Sequence, residues 1–351
     1  SLISADHPAA FISDLKATQE FLRQTIQKSP NELTPIAEAR LRAPKFTFSA
    51  ETVPSPRFTG AIVLSSTRPR NGSQLPPVNT RGTVRTGPLE LSELVNYIDW
   101  SPFFHTWELR GTYPAILSHP ERGKQATELF RDATALLDRI VRDNLLELRA
   151  VYGFFPATRK GDDVLVAPDP TRPDQKTMTL HFLRQQIERD ESRPYRCLAD
   201  YIAPETAGLS DHIGAFAVTS GGGLSELIAE FKEQHDDYQI IMAEALADRL
   251  AEALAEYMHA QARIEWGYER HNAFSNPELI SEKYRGIRPA PGYPACPDHQ
   301  EKATLWELLD VESRIGIRLT ESFAMWPGSS VSGWYFAHPD SQYFNVAEIG
   351  M

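Results

Sequence analysis

The stretch that most constrains the fold is the proline-rich sequence Arg288-Pro-Ala-Pro-Gly-Tyr-Pro-Ala-Cys-Pro-Asp-His299. Because proline fixes φ and has no backbone N–H, this stretch cannot form the interior of a helix or a central strand. We expect a stiff, extended loop with a sharp bend at Gly292. A helix should begin directly after it, since Asp298 and Glu301 have the spacing of a capping box and leucines follow at helical spacing. Composition alone leaves two interpretations open, a loop with a function and an ordinary connector.

The bulk composition is typical of a soluble globular protein. Of the 351 residues, 41% are hydrophobic and 24% are charged, and the formal net charge is −11. The negative balance argues against nucleic-acid binding through a general basic surface. The two cysteines, Cys197 and Cys296, form neither a CxxC pair nor a disulfide framework, which favours a reducing cytoplasm. No apolar run approaches the roughly 18 residues of a membrane span.

The N-terminal quarter of the chain has the character of a connection. The chain starts at Ser1 without an initiator methionine or a signal peptide, which suggests a piece of a longer polypeptide. Residues 8–28 have helical periodicity. Residues 29–94 contain many prolines and polar residues, and we expect a linker wrapped on the surface, with one short strand at Gly60–Leu64. The basic residues Arg81 and Arg85 are interpreted as part of this solvated linker.

The rest of the chain alternates groups of strands with long helices. Helices are predicted at 124–147, 224–235 and 237–264 from their amphipathic patterns. Strands are predicted at Val151–Phe155, Val164–Ala167, Thr177–Leu183, Tyr195–Ile202 and Ile213–Val218, within 322–336, and at Tyr343–Ala347. Because the strands are grouped without βαβ alternation, the pattern favours an α+β fold with mixed helices around a largely antiparallel sheet.

One helix has a second stripe besides its apolar one. Asp248, Glu252, Glu256 and His259 recur along one face of the helix predicted at 237–264. A polar stripe of this kind is usually a solvated surface, so spacing alone predicts no function for it.

The sequence lacks the short motifs of common catalytic sites. It has no GxGxxG, GxxxxGK[ST], HExxH or GxSxG motif, and its histidines do not have metal-ligand spacing. Gly221–Gly223 precedes a predicted helix but lacks the lysine and hydroxyl of a phosphate-binding loop, so we interpret it as a turn. We expect a chain that binds and positions an already reactive reagent rather than one that supplies a nucleophile, a metal or an acid/base pair.

Several long motifs, in order along the chain, carry a resemblance to a known family. The chain resembles the C-terminal activation domain of cobalamin-dependent methionine synthase from about residue 95 to its end. The motifs are Tyr97-Ile-Asp-Trp-Ser-Pro-Phe-Phe104, Leu198-Ala-Asp-Tyr-Ile-Ala-Pro204, Gly214-Ala-Phe-Ala-Val-Thr219, Gln234-His-Asp-Asp-Tyr238, Ala247-Asp-Arg-Leu-Ala-Glu252, Arg288–Lys302 and Glu321-Ser-Phe-Ala-Met-Trp-Pro-Gly328.

The resemblance implies a fold, a domain organisation and a function. It implies a single elongated, C-shaped activation domain over 95–351, preceded by the linker 29–94 and by the end of a cobalamin-binding module at 1–28. A domain of this family binds S-adenosylmethionine (AdoMet) and presents its methyl group to cob(I)alamin while a flavodoxin-type partner supplies an electron. The cobalamin would be bound by the neighbouring module, since its signature is missing here. The fragment alone would then not be catalytic.

The resemblance also implies ligand contacts, which we carry over residue by residue. Arg288 matches the arginine that holds the AdoMet carboxylate, a group that a guanidinium can bind through two hydrogen bonds. Asp99 matches the carboxylate that binds the ammonium, and Glu252 matches a second acidic contact.

Five further residues match the positions around the adenosine. Ala290, Gly292 and Tyr293 would line the loop, where small residues let the ligand approach the backbone. Tyr343 and Phe344 would contact the ligand through stacking or sulfonium–π attraction. The chain departs from the family pattern in a longer segment at 65–86 and in its end at Met351.

Two other hypotheses remain open at this stage. The chain could be a docking module that bridges the cobalamin domain and a flavodoxin-type reductant, with AdoMet secondary. It could also be a self-standing methyltransferase that acts on a small acceptor.

Overall fold

The computed structural model of the chain describes residues 32–69, 72–81, 83, 85–168, 176–271, 273–347 and 349. The predicted helix at 8–28 and the predicted end of a cobalamin-binding module at 1–28 lie outside the described residues.

A mixed sheet forms the centre of the described structure. Seven strands belong to it among the described residues, and two more form a separate short ribbon. The strands of the sheet are β1 (Gly60–Ser65), β2 (Arg85–Pro88), β3 (Glu147–Lys160), β4 (Asp163–Val166), β5 (Met178–His181), β6 (Asp211–Gly222) and β9 (Ser330–Tyr335), and the ribbon consists of β7 (Arg318–Leu319) and β8 (Met325–Trp326).

The long strand β3 organises the sheet. On one edge, its first half pairs with β1 and its last residues pair with β4, which in turn pairs with β5. On the other edge it pairs with β6, and β6 pairs with β9. All these pairs are antiparallel, whereas β1 and β2 are parallel. The sheet is therefore mostly antiparallel, as predicted.

Helices and short turns surround this sheet. The α-helices are α1 (Ile36–Leu41), α2 (Leu91–Leu94), α3 (Ser101–Thr106), α4 (Gly123–Asp143), α5 (Leu224–Glu233), α6 (Asp237–Glu265), α7 (Asn276–Ile280), α8 (Glu301–Leu309) and α9 (Val311–Ile315). The prediction of mixed helices around a largely antiparallel sheet is confirmed. Within the described residues, no helix is both long enough and apolar enough to cross a membrane.

The two faces of the sheet are buried under different layers. Because successive side chains on a strand point to opposite faces, Tyr152 and Phe154 of β3 pack with α4, α5 and α6, whereas Val151 and Phe155 pack with α8 and α9. A strand covered on both sides is apolar throughout, which explains the nearly continuous hydrophobic run in β3.

Most of the predicted elements are confirmed with shifted ends. The helices predicted at 124–147, 224–235 and 237–264 correspond to α4, α5 and α6. The strand predicted at Gly60–Leu64 is β1, and it lies beside the central strand rather than in a purely superficial linker. The segment 29–94 therefore contributes two strands to the sheet, and the boundary before residue 95 stays a prediction.

The strand predicted at Tyr195–Ile202 is wrong. Residues Leu198–Tyr201 form a 3₁₀ helix instead. The carboxylate of Asp200 accepts a hydrogen bond from the Cys197 N–H at 2.9 Å and also binds the buried guanidinium of Arg184. This local bond between side chain and backbone competes with strand pairing and stabilises a turn.

The predicted capping box at Asp298 and Glu301 is also wrong. Helix α8 begins at Glu301, and the Asp298 carboxylate accepts the N–H of Gln300 at 2.8 Å. The Glu301 carboxylate accepts the backbone N–H of His181 at 3.3 Å, so tertiary contact with β5 determines its position. The following helical pattern is interrupted at Asp310, which adopts a left-handed conformation with φ of 52° between α8 and α9.

Candidate ligand-binding site

The proline-rich loop continues the sheet edge beside β9. The N–H and C=O of Ile287 both bond to Phe336, and the N–H of Trp334 donates to the Pro289 carbonyl at 2.9 Å. Gly333 makes this approach possible, since a Cβ there would lie 2.7 Å from the Pro289 carbonyl oxygen. The start of the loop is thereby fixed to the sheet.

The loop bends at Gly292, as predicted. This residue has a φ of 94°, and its N–H donates to the Cys296 carbonyl at 2.7 Å. The ring of His299 occupies the space in which a side chain at Gly292 would lie. The imidazole of His299 therefore packs against the bend of the stiff extended loop that the prolines predict.

A C-terminal segment at 338–347 crosses the loop. The N–H of Val346 donates to the Pro294 carbonyl at 2.8 Å, and the Tyr343 hydroxyl accepts the N–H of Arg288 at 3.0 Å. The Gln185 side chain holds this segment from the opposite side through the Asn345 carbonyl at 2.6 Å. The strand predicted at Tyr343–Ala347 is wrong, because these isolated bonds to a loop and to side chains replace a regular ladder.

The loop, β9 and the C-terminal segment enclose an apolar cavity of about 310 Å³. Its walls are mostly proline, alanine and aromatic side chains, with few charged groups. The lining residues are Phe216, Glu252, Arg288, Pro289, Ala290, Pro291, Tyr293, Pro294, Ala295, Lys302, Met325, Ser330, Val331, Ser332, Tyr343 and Phe344. We call it the apolar cavity.

A second space of about 340 Å³ adjoins it on the side of α6 and is rich in carboxylates. Glu252 and Arg288 line both spaces, so the two meet at these residues. The second space is lined by Tyr97, Asp99, Pro102, Arg249, Glu252, Ala253, Glu256, Leu279, Ile280, Glu282 and Arg288. We call it the acidic annex.

Arg288 is held at this junction by contacts to one end of its guanidinium. Its Nη1 lies 2.6 Å from the Glu256 carboxylate and donates to the Tyr284 hydroxyl at 2.6 Å. The His259 Nδ1 accepts from the same nitrogen at 3.3 Å. Burial acts to lower the pKa of Arg288, but Glu256 and the other neighbouring acidic groups together outweigh it and raise that pKa. The side chain is thus a permanent cation with a defined orientation.

A stack of rings lies beneath this arginine. His259 is parallel to Tyr335, with ring centroids 5.0 Å apart, and Tyr335 is stacked on Phe216 at 4.7 Å. Burial and the neighbouring Arg263 and Arg288 hold the pKa of His259 well below its usual value. Since a guanidinium can only donate, Nδ1 of the neutral ring is the acceptor and the proton is on Nε2. The floor of the junction is therefore rigid and uncharged.

The structure brings most of the predicted contact residues together. Of these, Glu252, Arg288, Ala290, Tyr293, Tyr343 and Phe344 line the apolar cavity, and Asp99 lines the acidic annex. Gly292 lines neither of the two spaces among the described residues, and it shapes the bend of the loop instead.

The expectation that the polar stripe of α6 is solvated is wrong for two of its members. Glu256 is 7% exposed and His259 is 1% exposed. Both face the Arg288 guanidinium because α6 is covered on several sides, which no spacing pattern in its sequence indicates.

Sequence reasoning also gave no role to three other residues at the site. Tyr284 binds Arg288, and its only signal was its position four residues before that arginine. Lys302 is 7% exposed, and its ammonium donates to the Phe323 carbonyl at 3.1 Å while burial lowers its pKa. The hydroxyl of Ser332 is buried and has no hydrogen-bond partner among the described residues, so the cavity wall contains an unused polar group.

The described residues contain no cluster of three or more histidine, cysteine, aspartate or glutamate side chains that could hold a metal ion. The arrangement instead combines a flat apolar slot, a fixed cation and several carboxylates. Such a site can bind a ligand that has an apolar planar part and a zwitterionic end.

Comparisons with known proteins agree with this geometry. A family described as "Vitamin B12 dependent methionine synthase, activation domain" matches residues 90–351. A solved structure described as "Crystal Structure of the MetH Reactivation Domain bound to AdoHcy" is 47% identical in sequence, with a TM-score of 0.79, and the similarity covers 90% of each chain. From its fold, its loop and these similarities, the chain belongs to the family of activation domains of vitamin B12-dependent methionine synthase.

Proposed function

We propose that this chain binds AdoMet and presents its methyl group to cob(I)alamin during reactivation of methionine synthase. The observation that carries the proposal is the continuity of the apolar cavity with the acidic annex through Arg288 and Glu252. AdoMet has the same order of parts, an apolar adenosine, a sulfonium and then an amino-acid end. The similarity to a reactivation domain that was solved with AdoHcy supports the same ligand class.

Arg288 is the anchor for the carboxylate in this proposal. Its contacts with Glu256, Tyr284 and His259 all involve Nη1. Nε and Nη2 have no hydrogen bond to the described residues and can donate to a ligand carboxylate as a pair. Because the protein already orients the guanidinium, less conformational entropy is lost on binding. Asp99 would attract the ammonium in the acidic annex, and Glu252 would be a second acidic contact at the junction.

The adenosine would lie between the proline loop and the C-terminal segment. Pro289, Ala290 and Phe344 provide the apolar surfaces, and Tyr343 and Tyr293 stand at the rim. Tyr343 is 42% exposed and Tyr293 is 62% exposed, so both rings have surface to cover a ligand. The Ser332 hydroxyl offers a hydrogen bond to a polar atom of the ligand.

The chemistry requires alignment more than proton transfer. Cobalamin bound by a neighbouring module would supply the nucleophile for the methyl group after a flavodoxin-type donor has reduced cob(II)alamin to cob(I)alamin by one electron. The sulfonium is a good leaving group, so this chain needs to hold it in line with the incoming nucleophile. In this proposal the chain is not catalytic by itself, and it contributes binding and orientation to the methyltransferase.

Calorimetric titration of the chain with AdoMet tests the proposal. We expect Arg288→Ala to lose about 1.5–3 kcal/mol of binding free energy, or roughly 10–150-fold in affinity, because a charge-assisted hydrogen-bonded anchor is removed. Arg142→Ala is the control, since that side chain is 69% exposed on α4. Equal AdoMet affinity of the wild type and Arg288→Ala would contradict the assignment.

A further inference from the structure

We propose that Glu252 makes this site selective for the charged sulfonium of AdoMet over the neutral thioether that remains after methyl transfer. The inference rests on the proposed function and assigns a specificity to one carboxylate. Loss of the methyl group leaves the bonding electron pair on sulfur, so the ligand loses one positive charge and nothing else near the junction changes.

The position of Glu252 places its carboxylate beside the ligand's sulfur. Among the described residues, Glu252 is the one carboxylate that lines both the apolar cavity and the acidic annex. The ligand's sulfur lies between the ribose and the amino-acid end, two carbons from the carbon that bears the ammonium. When the adenosine fills the cavity and the amino-acid end fills the annex, the sulfur lies at the junction beside Glu252.

The net charge of the acidic annex also favours a cationic ligand. Four carboxylates and two guanidiniums line the acidic annex, which leaves an excess of negative charge. The cation of Arg288 is already matched by Glu256 at 2.6 Å. The amino-acid end of the ligand is itself a neutral zwitterion, so it does not balance the excess. The additional positive charge of a sulfonium does.

The Glu252 carboxylate is also available to a ligand. Glu252 is exposed to the groove and has no hydrogen bond or ion pair with any described residue. Asp99 instead accepts the N–H of Ser101 at 2.9 Å, and Glu256 is engaged by Arg288. Glu252 is therefore the carboxylate at the junction without a cationic partner among the described residues, and Asp99 and Glu282 add further unpaired negative charge elsewhere in the acidic annex. The neutral product AdoHcy would dissociate more readily than AdoMet. The site would therefore be vacated after each methyl transfer.

The test compares the affinities for AdoMet and for AdoHcy by calorimetry, using the whole chain. We expect the wild type to bind AdoMet roughly tenfold more tightly than AdoHcy, as one partly solvated ion pair implies. In Glu252→Gln the ratio should fall to between about one and three, mainly through weaker AdoMet binding. Glu244→Gln is the matched control on the same helix. It lies eight residues away, or about 12 Å, which exceeds the Debye length of about 8 Å at physiological salt.

Two further measurements keep the result specific to charge. Glu252→Asp retains the carboxylate and should keep most of the ratio. Sinefungin, which has an amine-bearing carbon in place of the sulfonium, should follow AdoMet in both the wild type and Glu252→Gln. An AdoMet-to-AdoHcy ratio that is the same in the wild type and Glu252→Gln overturns the inference while the proposed function stands. Failure of the wild type to bind either compound overturns both.

Discussion

Arg184 and Arg288 both place a guanidinium against buried carboxylates, but the protein uses their nitrogens differently. Arg184 donates from Nε to Asp162 at 2.8 Å and from Nη2 to Asp200 at 2.6 Å. Its Nη1 donates to the second oxygen of Asp200 and to the Tyr195 carbonyl. For Arg288, the side-chain contacts with described residues all involve Nη1.

The difference separates an arginine that stabilises the fold from one that we propose as a ligand anchor. The side chain of Arg184 is 3% exposed and that of Arg288 is 19% exposed. Burial acts to lower the pKa of each, but the neighbouring groups together, led by Asp200 for Arg184 and by Glu256 for Arg288, raise it above its usual value. The electrostatic environment is thus similar, and what distinguishes Arg288 is hydrogen-bonding capacity that faces a cavity. An arginine whose every nitrogen is used can only stabilise, whereas one that is held at a single end can also bind.

The largest expected effect on stability follows from replacing Arg184, whose three side-chain nitrogens all donate hydrogen bonds. Arg184→Met should reduce the free energy of unfolding by about 3–5 kcal/mol, because Asp162 and Asp200 lose a buried partner. Arg40→Met is the matched control, since Arg40 binds the same Asp162 but its side chain is 56% exposed, and it should cost at most about 1 kcal/mol. Urea denaturation measures both. Similar losses of unfolding free energy in the two variants would contradict the distinction between the fully hydrogen-bonded Arg184 and the exposed Arg40.

Asp211 provides a comparison with the carboxylates that bind these arginines. Among the described residues, its hydrogen-bond donors are backbone N–H groups. Asp211 is 7% exposed and accepts the N–H groups of Ala203 and His212, each at 2.7 Å. Burial raises its pKa to about 6, although the two N–H groups lower it. Its folded pKa thus exceeds the unfolded value of about 3.9, so its contribution to stability is full below pH about 3.9 and is lost as pH rises through about 6.

Replacement by asparagine removes this titration. Relative to the wild type, Asp211→Asn should gain up to about 3 kcal/mol of unfolding free energy between pH 4 and pH 7. The lost hydrogen bond adds an offset that does not depend on pH. Urea denaturation of both proteins across this range gives the difference directly. Parallel pH profiles would show that folding does not raise the pKa of Asp211.

The smallest expected effect concerns the backbone N–H of Arg288, not its guanidinium. Tyr343→Phe removes the hydroxyl that accepts the Arg288 N–H at 3.0 Å. Its loss should weaken AdoMet binding by about 0.5–1.5 kcal/mol, because the loop and the C-terminal segment are joined less firmly. Thermal unfolding of the free chain should change little. Unchanged AdoMet affinity would show that the segment covers the cavity without this bond.

The sequence predicted the elements whose pattern is local. The amphipathic helices α4 and α5 and the turn between β3 and β4 follow from periodicity and from Gly161 at a positive φ of 68°. The strand predicted at Tyr195–Ile202 failed because Asp200 makes both a local turn and a long-range ion pair, and no apolar pattern contains that information.

The same distinction between local patterns and long-range contacts applies to the residues of the site. The residues carried over from the family motifs were brought to one groove, with Gly292 as a shaping residue. Glu256 and His259 were missed because their exposure depends on what packs on α6. A long helix that is covered on several sides has no single apolar stripe from which burial can be predicted.

By itself, the sequence determined that 288–299 is a stiff bent loop, since proline and glycine restrict the backbone wherever they occur. It also determined which charged residues are available for the zwitterionic ligand that we propose. Only the tertiary structure decided that Glu256 would hold one end of Arg288 and that Glu252 would stay unpaired at the junction. The reason is physical, because a side chain's remaining hydrogen bonds and charge depend on neighbours that are far away in sequence.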